Sequence, residues 1–522
     1  MERIQDVELL GWDDIKVSLK LQPAHPEYEI LKAADLYIYR NILHLPPPHD
    51  NPQWLRIFLV KALEELGLVS LWSSTLDVKL LCTQRFVRLF AYGGSTLILV
   101  AYLSELGVSK EKIGLFMTLT LIGDTVISLV LTLFADGLGR KAILALGAAL
   151  MAMSGVVFAL SGDYWVLLVA AIVGVISPSG NEIGPFRAIE ESTLAHLTPT
   201  ANRGDIYAWY SLIGTAGTAV GMVTSGWAIQ YMRSNLKWDV LRTYRTVFWG
   251  YAIFGIIKFI LSITLSKNIE AEKKSAATED TETAPLLGDG AEEAETKKSY
   301  FRSLIPDISA ESRIIVANLC ILFMLDAFAS GLAPLSWVTY FFHDKFGLGE
   351  GKLGSLFFAT SIISAISMLL ASSIAKRFGN VQTMVFTHLP SAIFLALIPV
   401  PSSLPFAMLF LILRSCTQSM DVAPRSAFLA AVVLPNERTA VMGVINVAKT
   451  SAQSLGPLIT GVLAQHGLFW VAFLTAGTLK ATYDMGMLAI FVGHKTYDDR
   501  AEEERLAEEE QSLRESEDPN ER

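Results

Sequence analysis

The sequence predicts an all-α membrane protein, two six-helix bundles related by internal duplication. Three observations predict it. The 522 residues are 52% hydrophobic and only 18% charged, against about 25% charged in an average soluble protein, and the mean hydropathy is +0.42. Twelve apolar runs of spanning length fall into two groups of six on either side of a hydrophilic stretch. Finally, Arg203, Gly221 and Gly226 are matched by Arg438, Gly456 and Gly461, each 235 residues further on (438 − 203, 456 − 221 and 461 − 226), as an internal repeat requires.

Residues 1–81 read as a cytoplasmic extension. After the turn-rich Pro46-Pro47-Pro48, the stretch Trp54–Trp72 is helical in period, but Lys61, Glu64 and Glu65 suit it to an interface rather than a crossing. No signal peptide is visible, so the first span is expected to direct the chain to the membrane. Spans one to six are expected at about Phe86–Leu106, Gly114–Ala135, Ala142–Leu160, Trp165–Leu194, Ile206–Met232 and Val247–Leu265, in a bundle bounded by residues 82–266. Lys267–Asp307, rich in Glu, Ala, Thr and Lys, reads as a disordered linker within 267–310. Spans seven to twelve are expected at about Ile314–Phe342, Leu353–Ala375, Val381–Pro399, Pro405–Leu434, Ala440–Leu463 and Trp470–Val492, in a bundle over 311–494, before an acidic tail at 495–522.

The net charge of −9 comes from Glu270–Glu295 and Asp498–Glu521, which leaves the membrane body mildly basic. The basic residues are scattered between spans without interleaved aromatics, so no nucleic-acid partner is expected. Cys82, Cys320 and Cys416 have no metal or redox spacing, and neither a metal nor another cofactor is expected. Arg140-Lys141, Arg203, Lys376-Arg377 and Arg438 fall on one side and place both termini and the linker in the cytoplasm; Arg233, Lys237, Arg242 and Arg245, between spans five and six, are the exception.

Ionisable residues inside apolar spans are costly and mark pathways. Ile176–Glu191 places Asn181, Glu182 and Arg187 at the end of span four between Pro178 and Pro185. This segment is either the lining of a pathway on a kinked helix or a wet loop beyond a span that ends near Ile176. In span ten, Arg414, Gln418, Asp421 and Arg425 stand at i, i+4, i+7 and i+11, one face of a helix. Arg85, Arg88 and Tyr92 do the same in span one, although Arg85 could snorkel to the membrane edge. Asp124 in span two and Asn318 and Asp326 in span seven complete the set, which predicts a hydrated central pathway. Structural pairs at helical spacing, Arg187 with Glu190 or Glu191 and Lys480 with Asp484, are the alternative for single residues.

Between spans two and three stands Asp136-Gly137-Leu138-Gly139-Arg140-Lys141, a tight turn whose charges can bridge neighbouring helix ends. With its D-x-x-G-R-K pattern and the six-plus-six arrangement, the chain from about Arg85 to Val492 resembles the major facilitator superfamily of secondary transporters. The loop departs from the family pattern at Thr132, where glycine is usual, and at Gly137, where a base is usual; the matching Lys376-Arg377-Phe378-Gly379-Asn380 lacks the acid. The resemblance implies that Asp136, Gly139, Arg140 and Lys141 form a gating loop and that spans one, four, seven and ten surround the cavity. Gly214, Gly217 and Gly221, with Gly456-Pro457, resemble a glycine motif of exporters in the family, or are simply packing residues.

The function this implies is secondary active transport of a small organic or ionic solute by alternating access, proton-coupled through Glu182 and Asp421, with efflux as one direction. The alternative is a solute sensor of the same fold without turnover. An enzyme is not expected, since no H-E-x-x-H, G-x-S-x-G or P-loop stands in a helical context. The expected partners are a small-molecule substrate, the lipid bilayer, protons and, through Glu282 with Leu286-Leu287, sorting adaptors that route the protein between the plasma membrane and a vacuolar or endosomal membrane.

Overall fold

A computed structural model describes residues 67–174, 176, 185–199, 202–270, 310–433, 437–492 and 505. Two compact units divide the chain after Ser73. In the first, α1 (Leu68–Ser73) is a short helix whose last residue donates its hydroxyl to the Val69 carbonyl at 2.8 Å. The amphipathic helix expected over Trp54–Trp72 lies outside the described residues as far as residue 66.

The second unit holds both bundles. In its N-terminal half are α2 (Leu76–Glu105), α3 (Lys110–Leu138), α4 (Arg140–Leu160), α5 (Tyr164–Val173), α6 (Pro185–Leu197), α7 (Arg203–Ser234) and α8 (Val240–Ile263), followed by a 3₁₀ turn at Lys267–Ile269. In its C-terminal half are α9 (Ala310–Leu332), α10 (Leu335–Phe346), α11 (Glu350–Phe378), α12 (Asn380–Leu397), α13 (Leu404–Thr417), α14 (Val422–Val432), α15 (Arg438–Gln465) and α16 (Phe469–Phe491). The described secondary structure is entirely helical. Described helices fall within each expected stretch, and six segments among the described residues are both long and apolar enough to cross a membrane by themselves.

Where the helices depart from expectation, the reasons are local. The first span begins at Leu76 rather than Phe86, because Asp77 and Lys79 lower its hydropathy without breaking the helix; the boundary drawn at residue 81 therefore falls inside α2. Span four is not one unbroken helix: α5 ends at Val173 before Gly174, Ile176 is not helical, and helix is described again over Pro185–Leu197. Nor is 177–191 all wet loop, since Glu190 on α6 is fully buried. Span ten breaks in the same way, between Thr417 and Val422. Discontinuous helices at matching places in two repeats are the usual mark of a transporter binding site.

Packing repeats with the sequence. The helix α2 lies against α7 and α8, and α4 against α8; correspondingly α9 lies against α15 and α16, and α12 against α16. Gly221 and Gly456 explain the closeness of two of these pairs. A Cβ on Gly221 would stand 2.0 Å from the Phe90 carbonyl oxygen, and one on Gly456 would stand 2.1 Å from the Gly331 carbonyl carbon. Small residues let backbones approach where lipid supplies no hydrophobic drive between helices. Facing outward, apolar side chains meet the bilayer: Ile253, Ile256 and Ile260 are exposed on α8 while Lys258 of the same helix is buried.

The halves join through α7 with α11 and α15 with α3, again a repeated pair. Polar contacts between them cluster at the end of the bundle opposite Gly139. Lys110 donates its N–H to Gln465 Oε1 at 3.0 Å and its Nζ to Asp344 at 3.1 Å. At the symmetric place Glu350 accepts from Arg233 at 3.2 Å and from the Tyr244 hydroxyl at 2.6 Å.

Candidate functional site

Each half buries a charge cluster. In the N-terminal half, the fully buried Glu190 of α6 accepts Arg88 Nη2 of α2 at 2.7 Å and Lys258 Nζ of α8 at 3.2 Å. The Tyr210 hydroxyl of α7 donates to the same carboxylate in a short hydrogen bond. Arg85 does not snorkel; it is buried, with its guanidinium 4.1 Å from the centroid of the Tyr210 ring. Four helices thus converge on one carboxylate, which is how charges remain in an apolar bundle.

In the C-terminal half, Asp326 of α9 accepts Lys480 Nζ of α16 at 2.6 Å and Arg425 Nη1 of α14 at 3.3 Å. Arg425 also pairs with Asp421, one turn before it. The expected pair of Lys480 with Asp484 does not form. The helix α16 packs against both α9 and α12, so Lys480 turns to Asp326 while Asp484 meets His388 Nδ1 of α12 at 2.9 Å. Compared span by span, the clusters are charge-inverted. The base on span one, Arg88, stands where span seven has the acid Asp326. The acid on span four, Glu190, stands where span ten has the base Arg425, 235 residues on (425 − 190). Spans six and twelve both contribute lysine.

Among the described residues, the second cluster opens onto a large cavity. About 410 Å³ in volume, it is walled by α9 to α16, with Thr215 of α7 as the contribution of the other half among the described residues. That size suits a small ligand. Asp326, Asp421, Arg425 and Lys480 line it together with Arg414, Gln418 and His388, and hydroxyl groups from Thr360, Ser361, Ser391 and Ser419 face it as well. Gln418 donates Nε2 to Ser364 Oγ at 2.9 Å, and Ser364 Oγ in turn donates to the Ser415 carbonyl at 3.0 Å. An apolar wall of Leu335, Val338, Phe357, Leu395 and Leu411 completes it.

The structure therefore brings five candidate residues, Asp326, Arg414, Gln418, Asp421 and Arg425, to one cavity, although a turn interrupts the helix on which four of them were expected to align. Arg88 belongs to the other cluster, and Asp124 is buried in α3 away from the cavity lining. Arg187 is exposed and pairs with Glu191 at 2.7 Å, one turn along α6. Asn181 and Glu182 lie outside the described residues, as do Glu282, Leu286 and Leu287. Glu190, Tyr210, Lys258, His388 and Lys480 were missed as site residues. Lys258 carried a legible signal, a lone cation within the apolar run Phe254–Ile263.

At the loop between spans two and three, Asp136 lies on the last turn of α3, and Gly139, at φ +91°, joins α3 to α4 in a conformation that favours glycine. The matching Gly379, between α11 and α12, has φ +84°. Glu270 accepts the Arg140 N–H at 2.7 Å and the Lys141 N–H at 3.2 Å, a carboxylate on a helix N-terminus. Lys141 Nζ donates to the Leu265 carbonyl at 2.6 Å. The stretch read as a disordered linker from Lys267 thus opens with an ordered turn that clamps this loop.

The repeated helix pairs, the broken fourth and tenth spans and the clamped loop are matched by the sequence profile of the Major Facilitator Superfamily, over residues 81–335 and again over 319–517. The chain belongs to that superfamily. It is a multi-pass membrane protein of a family of transporters rather than enzymes. Among similar proteins, the uncharacterized membrane protein YJR124C of Saccharomyces cerevisiae is 37% identical over 430 residues, covering 80% of this chain and 94% of its own. The quinolone resistance protein NorA of Staphylococcus aureus is 25% identical over 190 residues, 36% of this chain and 44% of its own. The solved nucleoside transporter NupG superposes with a TM-score of 0.58 at 14% identity, covering 80% of this chain and 99% of that one, which bears on the fold alone.

Proposed function

We propose that this superfamily member is a secondary active transporter that carries a small polar solute by alternating access through the cavity of its C-terminal half, coupled to protons. The observation that carries this reading is the cavity itself, roughly 410 Å³ and lined by ionised residues whose salt bridges connect three helices, α9, α14 and α16. Exchanging a proton for a salt-bridge partner at Asp326 or Asp421 would let those helices separate, which ties protonation to motion. Outward transport draws support from the relative named for quinolone resistance. Glu282 with Leu286 and Leu287 would route the protein to a vacuolar or endosomal membrane.

Proteoliposomes loaded with a pH dye and challenged with a panel of solutes test the reading. Addition of the substrate should change the internal pH with the wild type. Asp421→Asn and Glu182→Gln should lose transport driven by a pH gradient and keep solute exchange at equal pH. A protein that binds a solute, as tryptophan fluorescence would record, yet moves neither solute nor protons is the sensor instead. Replacing Leu286 and Leu287 by alanine should shift the protein toward the plasma membrane, as imaging of a tagged chain would register.

A further inference from the structure

The cavity is not electrically balanced. Arg425 and Lys480 are engaged by Asp421 and Asp326, two cations with two carboxylates. The remaining cation on its wall is Arg414, in the last turn of α13. Its guanidinium has no salt bridge, side-chain hydrogen bond or ring contact among the described residues, whereas Arg425 and Lys480 of the wall each have partners. Four residues on, Gln418 is held by Ser364, so it is not spent on Arg414.

We propose that Arg414 is the anchor for the anionic group of a small hydroxylated organic anion, a carboxylate or a phosphate ester. This rests on the transport reading above for the role of the cavity and adds the class of solute. An arginine kept inside a membrane bundle without a carboxylate must be hydrated when the cavity is empty. An anion that replaces this water restores neutrality, and the planar fork of guanidinium meets carboxylate or phosphate oxygens in pairs. Opposite charges already fix Arg425 and Lys480, so a cationic solute would find no unspent carboxylate among the described residues of the wall, while a neutral one would leave Arg414 unmatched. Around it, Ser361, Ser391, Ser419 and Gln453 offer hydroxyl and amide groups for the body of the solute. The apolar wall leaves room for its carbon skeleton.

The test uses the purified full-length protein in nanodiscs and three probes of similar size: gluconate, glucose 6-phosphate and neutral sorbitol. Thermal stabilisation should be saturable with at least one of the anions and absent with sorbitol. Arg414→Gln should weaken the anion's binding by about tenfold or more, the scale of one charge-assisted hydrogen bond, and Arg414→Lys should recover part of it. The melting temperature without ligand, compared between variants, separates lost binding from lost folding. An equal response to sorbitol, unchanged anion binding by Arg414→Gln, or no response of the wild type to either anion would overturn the proposal. Counterflow in proteoliposomes keeps the two readings apart. Anion binding through Arg414 without flux would sink transport and leave this inference standing, whereas coupled flux of a neutral or cationic solute that is indifferent to Arg414→Gln would do the reverse.

Discussion

Lys258 and Glu190 hold each other where neither charge could stay alone, with exposures of 1% and 0%. Because Arg88 and Tyr210 share the same carboxylate, the two mutations differ in cost. Lys258→Met removes one cation from a carboxylate that keeps two partners, and should destabilise by about 1 to 2 kcal/mol. Glu190→Gln removes the carboxylate that Arg88, Lys258 and Tyr210 share and should cost about 3 kcal/mol or more. Thermal unfolding in detergent would rank them, and the double variant should lose less than the sum because the sites couple. Equal, additive losses would mean the network is only a set of independent contacts. At this scale the sequence was half legible. Position within an apolar span exposed Asp326, Asp421 and Arg425, but which acid meets which base is decided by neighbouring helices, so Lys480 and Asp484 could not be paired from their spacing along one helix.

At the scale of the helix, the contrast between glycines gives a second expectation. Gly221→Ala would force its methyl group into the backbone of α2, and a loss of about 1 to 3 kcal/mol is expected. Gly250 lies inside α8 with nothing within 4 Å of where a Cβ would be. There alanine should be neutral or stabilising by up to about 1 kcal/mol, since glycine weakens a helix. Melting of the two variants side by side checks the difference; a loss at Gly250 matching that at Gly221 would contradict the close packing of α2 and α7. The 235-residue repeat that marked Gly221 and Gly456 was legible because backbone contact constrains both positions. The breaks in spans four and ten were less so: Pro178, Gly180 and Pro185 gave warning in one, whereas Ser419 and Met420 in the other carry no breaker signal.

For the whole molecule, ion pairs that join the halves sit at one end of the packed helices, Lys110 with Asp344 and Arg233 with Glu350. The alternating-access cycle proposed above would have to release them. Arg233→Ala with Lys110→Ala should raise the population opened at that end by several-fold, since each pair contributes on the order of 0.5 kcal/mol at partly exposed positions. Cysteine labelling of Thr118→Cys, beside Leu458 on the facing helix, would report the opening as faster modification. If labelling is unchanged, the ion pairs are passengers. Conversely, a short cross-link between cysteines at Lys110 and Asp344 should arrest transport and leave the cavity reachable from the opposite face alone. Composition, span order and the 235-residue repeat foretold two bundles, but only the folded chain brings α3 and α15 together across 340 residues of sequence, from Thr118 to Leu458.

Thr215 is the lone described foothold of the N-terminal half in the wall of the cavity. On the proposed reading, the C-terminal repeat holds the solute and the N-terminal repeat moves against it. A lineage that inherits this division can change its cargo by altering α12 to α14 and leave the moving joints at α7 and α11 as they were. Chimeras that trade only the C-terminal repeat between relatives should carry the donor's diet with the recipient's mechanics, and duplication of an ancestral half would then have been less a doubling of one tool than the separation of a lock from its key plate.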